Sequence, residues 1–211
     1  MLLDSNPELL KNLKIYLNDP EDFTIYLTDT PEHILEVILP HISELLKSNI
    51  QQLPAMLGML TPSKLDIIIQ QSQNIITNVY TFYTIYIGLS TAQKKQLIEF
   101  FQGHWQDLIQ GPYDFKAIYE TLPEEEQKKQ LIEIFQGQWE YLIKTGFDFN
   151  VIYETLPKEE QKNQLIESFQ GHWRDLIKNR YDFEVIYKEL PEKNQSQLIQ
   201  SFQGHWRDLI K

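Results

Sequence analysis

In three stretches of this chain a histidine is followed three residues later by an aspartate: His104 with Asp107, His172 with Asp175, and His205 with Asp208. At that spacing two side chains meet along one helix face, for about 0.2–0.5 kcal/mol, and an imidazole steadied by a carboxylate can exchange hydrogen bonds with a partner. A fourth stretch has Gln138 and Tyr141 at the same two places, so both members change together. These eight residues are the candidate protein-binding residues. With their neighbours they read Phe100-Gly103-His104-Asp107, Ile134-Gly137-Gln138-Tyr141, Ser168-Gly171-His172-Asp175 and Ser201-Gly204-His205-Asp208. The i, i+3, i+4, i+7 spacing places them on the flank of an apolar helix face. The glycine in every copy reads as a mid-helix residue that another backbone approaches closely, a neighbouring repeat's helix before a bound partner.

Other chemistry is scarce. The absence of cysteine removes disulfides and thiol nucleophiles, and the 5 histidines form no His/Asp/Glu cluster with metal-ligand spacing. No Gly-rich phosphate loop, His-Glu-x-x-His or nucleophile motif occurs, so no cofactor is expected and the chain reads as a non-enzymatic binding scaffold. The alternative is an enzyme with a carboxylate or histidine site in the N-terminal half and the repeats as a recognition arm. Its residues would be His33 and His41 with Glu32, Glu36 and Glu44.

The elements that must position these residues follow from a period. The core Gln-Gly-His/Gln-Trp-x-x-Leu-Ile puts tryptophan at Trp105, Trp139, Trp173 and Trp206, spaced by 34, 34 and 33 residues. A fixed period of this size marks stacked helical repeats that bury a common core. In the copy from Leu122 to Leu156, the residues Leu131, Ile132, Phe135, Trp139, Leu142 and Ile143 share one arc of a helix. That phase crosses Gly137 unbroken and predicts one long helix, from Pro123 at its first position to about Lys144. Gly146 would end it in a left-handed conformation, as Gly111 and Asn179 would in neighbouring copies. Phe149, Ile152, Tyr153 and Leu156 then predict a short helix capped by Asp148. All four tryptophans are expected in the core. Lys116, Asn150 and Glu184, on the outer side of the short helix, are expected to face solvent.

Residues 1–90 lack the tryptophan motif but keep its punctuation. Thr30-Pro31 and Thr61-Pro62 each offer a cap followed by proline, and Ser90-Thr91 opens the next helix. Short helices are expected over Phe23–Leu27, Ile50–Leu60 and Tyr80–Leu89, a capping helix from Asn6-Pro7 to Leu17, and a kink at Pro40. Tyr80-x-Phe82-x-x-Ile85-Tyr86 matches Tyr113-x-Phe115-x-x-Ile118-Tyr119 position for position. The fold expected is all-α: an α-solenoid of about six helix-turn-helix repeats of 29–34 residues, each a long helix followed by a short one. Residues 1–90 are its diverged part, 91–211 its four near-identical copies, the last incomplete, and the whole one continuous array. The His–Asp pairs form either a solvated helix flank or, on the functional reading, a row lining the concave surface.

The 34-residue period matches tetratricopeptide repeats, but Ile143 stands where they carry glycine, and Pro123 lies 16 residues before Trp139. The Gln/Asn/Ile/Lys-rich composition, the lack of cysteine and the internal duplication resemble the helical-repeat effector proteins of intracellular bacteria, Legionella-type effectors among them. The resemblance implies a protein partner in a host-cell cytoplasm, although the last residues lack the Glu-rich export signal common in those proteins.

The net charge of −11 is spread as −6 over residues 1–92 and −5 over residues 93–211. Nucleic acid and anionic membrane both require a basic face, so neither is expected as the partner. Val79–Leu89 is too short to span a bilayer, and Asp4, Glu8 and Lys11 interrupt any leader-like apolar run, which predicts a soluble, cytoplasmic protein. The helix ending at Lys211 has no short helix after it. Its flank, including Trp206, would be covered by further chain or by a second protomer, giving a homodimer through the C-terminal repeat.

Overall fold

A computed structural model describes residues 20–36, 38–39, 57, 59–70, 75–206 and 209. All regular structure among them is helical, with no strand. The chain forms two compact units, residues 1–108 and 109–211. The expected capping helix before residue 20, the Pro40 kink and most of Ile50–Leu60 lie outside the described residues.

The first unit holds α1 (Pro20–Asp29), α2 (Pro62–Gln70), α3 (Val79–Gly88), α4 (Thr91–Phe101) and α5 (Trp105–Leu108). Helix α2 packs on α4. Buried Lys64 of α2 donates its ammonium to the carbonyls of Leu27, at 3.3 Å, and Thr28. A cation at the open C-terminal carbonyls of α1 satisfies both partners and opposes the helix dipole.

The second unit holds α6 (Pro112–Thr121), α7 (Glu125–Phe135), α8 (Trp139–Leu142), α9 (Gly146–Thr155), α10 (Glu159–Phe169), α11 (Trp173–Leu176), α12 (Arg180–Glu189) and α13 (Glu192–Ser201). Helix α9 lies between α6 and α12 and packs on both.

One aromatic cluster recurs and defines the repeat. Phe149 of α9 stacks on Tyr153 at 5.8 Å and meets Phe169 and Trp173 edge-on at 6.0 and 5.4 Å. Phe115 does the same with Tyr119, Phe135 and Trp139, and Phe183 with Tyr187, Phe202 and Trp206. In the first unit Phe82 plays this part with Tyr86, Phe101 and Trp105. Each tyrosine-bearing helix therefore belongs with the helix that follows it. Three of the four tryptophans are core as expected, Trp105, Trp139 and Trp173 being 2–3% exposed; Trp206 departs from the expectation at 38% exposed. Lysines close the clusters from outside, with Lys94, Lys128 and Lys162 over the rings of Tyr86, Tyr119 and Tyr153 at 4.6–5.3 Å. Burial raises the pKa of all three phenols above the usual value.

The expected long helix is not continuous. The 11-residue α7 ends at Phe135, Gln136–Gln138 form a turn, and a one-turn helix of 4 residues follows, so the element is no longer than two joined pieces beside the 10-residue α9. Gly137, Gly171 and Gly204 have φ of 88°, 97° and 87°, the left-handed region that glycine enters without steric cost. A side chain added at these glycines or at Gly103 would meet nothing within 4 Å, so no backbone approaches them. A left-handed turn, and not close packing, explains Gly137, Gly171 and Gly204; nothing in the structure explains Gly103. Gly137→Ala should therefore cost about 1–2 kcal/mol, while Gly103→Ala, with no positive φ, should be neutral or slightly stabilising. Paired urea titrations check this, and equal effects at the two sites would contradict it.

The next boundary also differs from expectation. Gly146 is the first residue of α9 and is buried; the cap is Thr145, whose hydroxyl accepts from the Asp148 amide, while Asp148 accepts back from the Thr145 amide. Asp148 is thus the far half of a capping box, and not the cap. Gly111 and Asn179 likewise precede α6 and α12 as N-caps. Pro123 and Pro157 sit just before the caps Glu124 and Lys158 instead of inside their helices.

Candidate functional site

The turn that breaks each long helix also builds the site. His172 follows Gly171 and caps α11, its amide donating to Phe169 O at 2.9 Å while its carbonyl accepts from the Asp175 amide at 2.9 Å. His104 is held in the same way by Phe101 O and the Asp107 amide. The two side chains of each pair then face one another, His104 Nδ1 lying 3.3 Å from Asp107 Oδ2 and His172 Nδ1 lying 3.4 Å from Asp175 Oδ2. The spacing expectation is met at both pairs, across a one-turn helix and its cap. Both aspartates are about three-quarters exposed.

Each pair rims a groove. In the first unit, Ile76, Thr77, Phe101 and Leu108 surround His104 and Asp107 in a cavity of about 400 Å³. In the second, Ile143, Phe169 and Leu176 form the floor beside His172 and Asp175, with Glu140 and Lys144 on the facing rim, in about 270 Å³. The floor residues occupy equivalent positions of different repeats. Lys144 turns its ammonium onto the carbonyl of Glu140 at 2.6 Å.

The other predicted residues fall apart from these grooves or differ in chemistry. Gln138 caps α8 with the same backbone pattern, and Tyr141 is 57% exposed, so this copy presents an amide and a phenol where the others present imidazole and carboxylate. His205 is exposed in the corresponding turn, and Asp208 lies outside the described residues. In the alternative catalytic set, Glu32, His33 and Glu36 are exposed along one helical stretch, while His41 and Glu44 lie outside the described residues. Among the described residues no group of three His, Asp or Glu side chains could hold a metal ion.

Several features were not anticipated. Gln136 donates to Gln164 at 2.9 Å and Gln170 to Gln197 at 3.2 Å, so the glutamine of the Gln-Gly motif ties these two turns to the next repeat. Tyr113, Phe147 and Tyr181 stand 51–71% exposed at the second position of α6, α9 and α12. Their echo of Tyr80 in the sequence was the signal that could have exposed this row. Lys116, Asn150 and Glu184 are half-buried instead of solvent-facing, and Asn150 Nδ2 donates to Glu154 at 3.2 Å.

Fold and grooves together define a helical tandem-repeat protein. No protein-family model matches the chain, and no curated protein matches it. Among the described residues no helix is long and apolar enough to cross a membrane.

Proposed function

We propose that this chain is a non-enzymatic scaffold that binds a partner protein or peptide in the grooves rimmed by its His–Asp pairs. The observation that carries the reading is the recurrence of one arrangement in both units: the same imidazole–carboxylate pair over the same isoleucine, phenylalanine and leucine. Repetition of a rim on a common apolar floor is how repeat proteins read extended partners. The exposed position of the pairs favours recognition over stability, because surface pairs of this kind contribute little to folding. The resemblance to Legionella-type effectors extends the proposal to a host protein as the partner.

The test replaces His104 and His172 by alanine together. Melting should move by no more than about 0.5 kcal/mol per site, while a partner held by the wild type, from host or own-cell extract, is lost. A large drop in melting temperature would make the histidines structural, and undiminished capture would remove them from the binding surface.

A further inference from the structure

Resting on that reading, we infer that the groove at His172 is a clamp for a cationic side chain, and that the segment it takes is an arginine-bearing peptide. Polarity and shape point the same way. Asp175 and Glu140 set two carboxylates at the mouth; the ammonium of Lys144, which also lines the groove, is engaged by the Glu140 carbonyl, and that of Lys178 by the Arg174 carbonyl. The Asp175 carboxylate facing Nδ1 of His172 favours the tautomer with its proton on that nitrogen, which makes the other ring nitrogen an acceptor. The rim thus presents acceptors and calls for a donor-rich guest. Below it, Ile143, Phe169 and Leu176 form an apolar floor. A guanidinium fork on an aliphatic stem satisfies both layers, the stem on the floor and the N–H groups on the carboxylates. The groove at His104, in the first unit, repeats the layers with Asp107 as its carboxylate and so offers a second cationic side chain the same chemistry. The net charge of −11 adds a field that favours such a guest.

Isothermal titration of the full chain with a short Arg-Ala peptide, and with the same peptide carrying isosteric, uncharged citrulline, tests this. The arginine peptide should bind, and citrulline should weaken it about tenfold or more, as expected for loss of charge-assisted hydrogen bonds. Asp175→Asn and Glu140→Gln, both at exposed positions, should each weaken the arginine peptide with circular dichroism unchanged. Absence of binding, equal binding of the citrulline peptide, or indifference to both substitutions would overturn the inference. A partner captured through His104 and His172 that the arginine peptide does not displace would overturn it too, while leaving the scaffold reading intact. Binding of the arginine peptide with no histidine-dependent partner would do the reverse.

Discussion

Phe149→Ala should be the most damaging single truncation in the second unit, lowering stability by about 3–5 kcal/mol. Phe149 is fully buried and touches Tyr153, Phe169 and Trp173, so its removal leaves a void bounded by three rings of three helices. Edge-on ring contacts add about 0.5–1.5 kcal/mol each beyond area burial, and truncation loses them at once. Total stabilities are about 5–15 kcal/mol, so the variant should melt on the order of 20 °C lower or fail to fold. Phe147, two residues earlier on the same helix, is 51% exposed and supplies the control. Phe147→Ala should change stability by no more than about 0.5 kcal/mol. Thermal melts of both variants would decide the matter, and similar losses would mean that the cluster is not the core.

Gly146→Ala is expected to rank second. A Cβ there would sit 2.7 Å from the Cα and carbonyl oxygen of Asp182, which are backbone atoms that cannot rotate away. Overpacking of this kind costs about 1–3 kcal/mol, and the upper end applies because α9 and α12 must separate to relieve it. The Gly146 amide also donates to Asp182 Oδ1 at 3.1 Å, a bond that such separation breaks. Asp182→Ala removes that acceptor but not the obstructing backbone. The double variant should therefore remain at least as unstable as Gly146→Ala in chemical denaturation, and a rescue would show that the side chain was the obstacle.

Much of this architecture is legible in the sequence because it depends on spacing. Periodic tryptophans announce repeats, and the apolar arc through Leu131, Ile132, Phe135, Trp139, Leu142 and Ile143 is buried throughout. The His–Asp pairing followed from a three-residue separation that survives the change from long helix to capped turn. The break at Gly137 was concealed by the same arithmetic. Trp139 and Leu142 keep the apolar phase of α7 although the chain has turned through a left-handed residue. A glycine after glutamine in every copy was the available sign, but a left-handed turn and a close helix contact demand the same residue. Gly146 shows the opposite error: its reason is contact with α12, which no local pattern encodes. Partner choice among helices was equally hidden, since linear order does not say whether α9 packs with the helix before or after it. The grooves needed tertiary structure, because Ile143 and Phe169 lie in successive repeats.

The glutamine bridges have a consequence of their own. Gln136 with Gln164, and Gln170 with Gln197, join successive repeats through uncharged amides. Dissolved ions screen interactions between exposed charges over about 8–10 Å, but they have no comparable hold on a neutral amide pair. The apolar clusters beneath are equally indifferent. Raising ionic strength should therefore leave the spacing of the repeats in place while quenching attraction at the carboxylate rims, so that one salt series can load and unload the grooves of an unchanged frame.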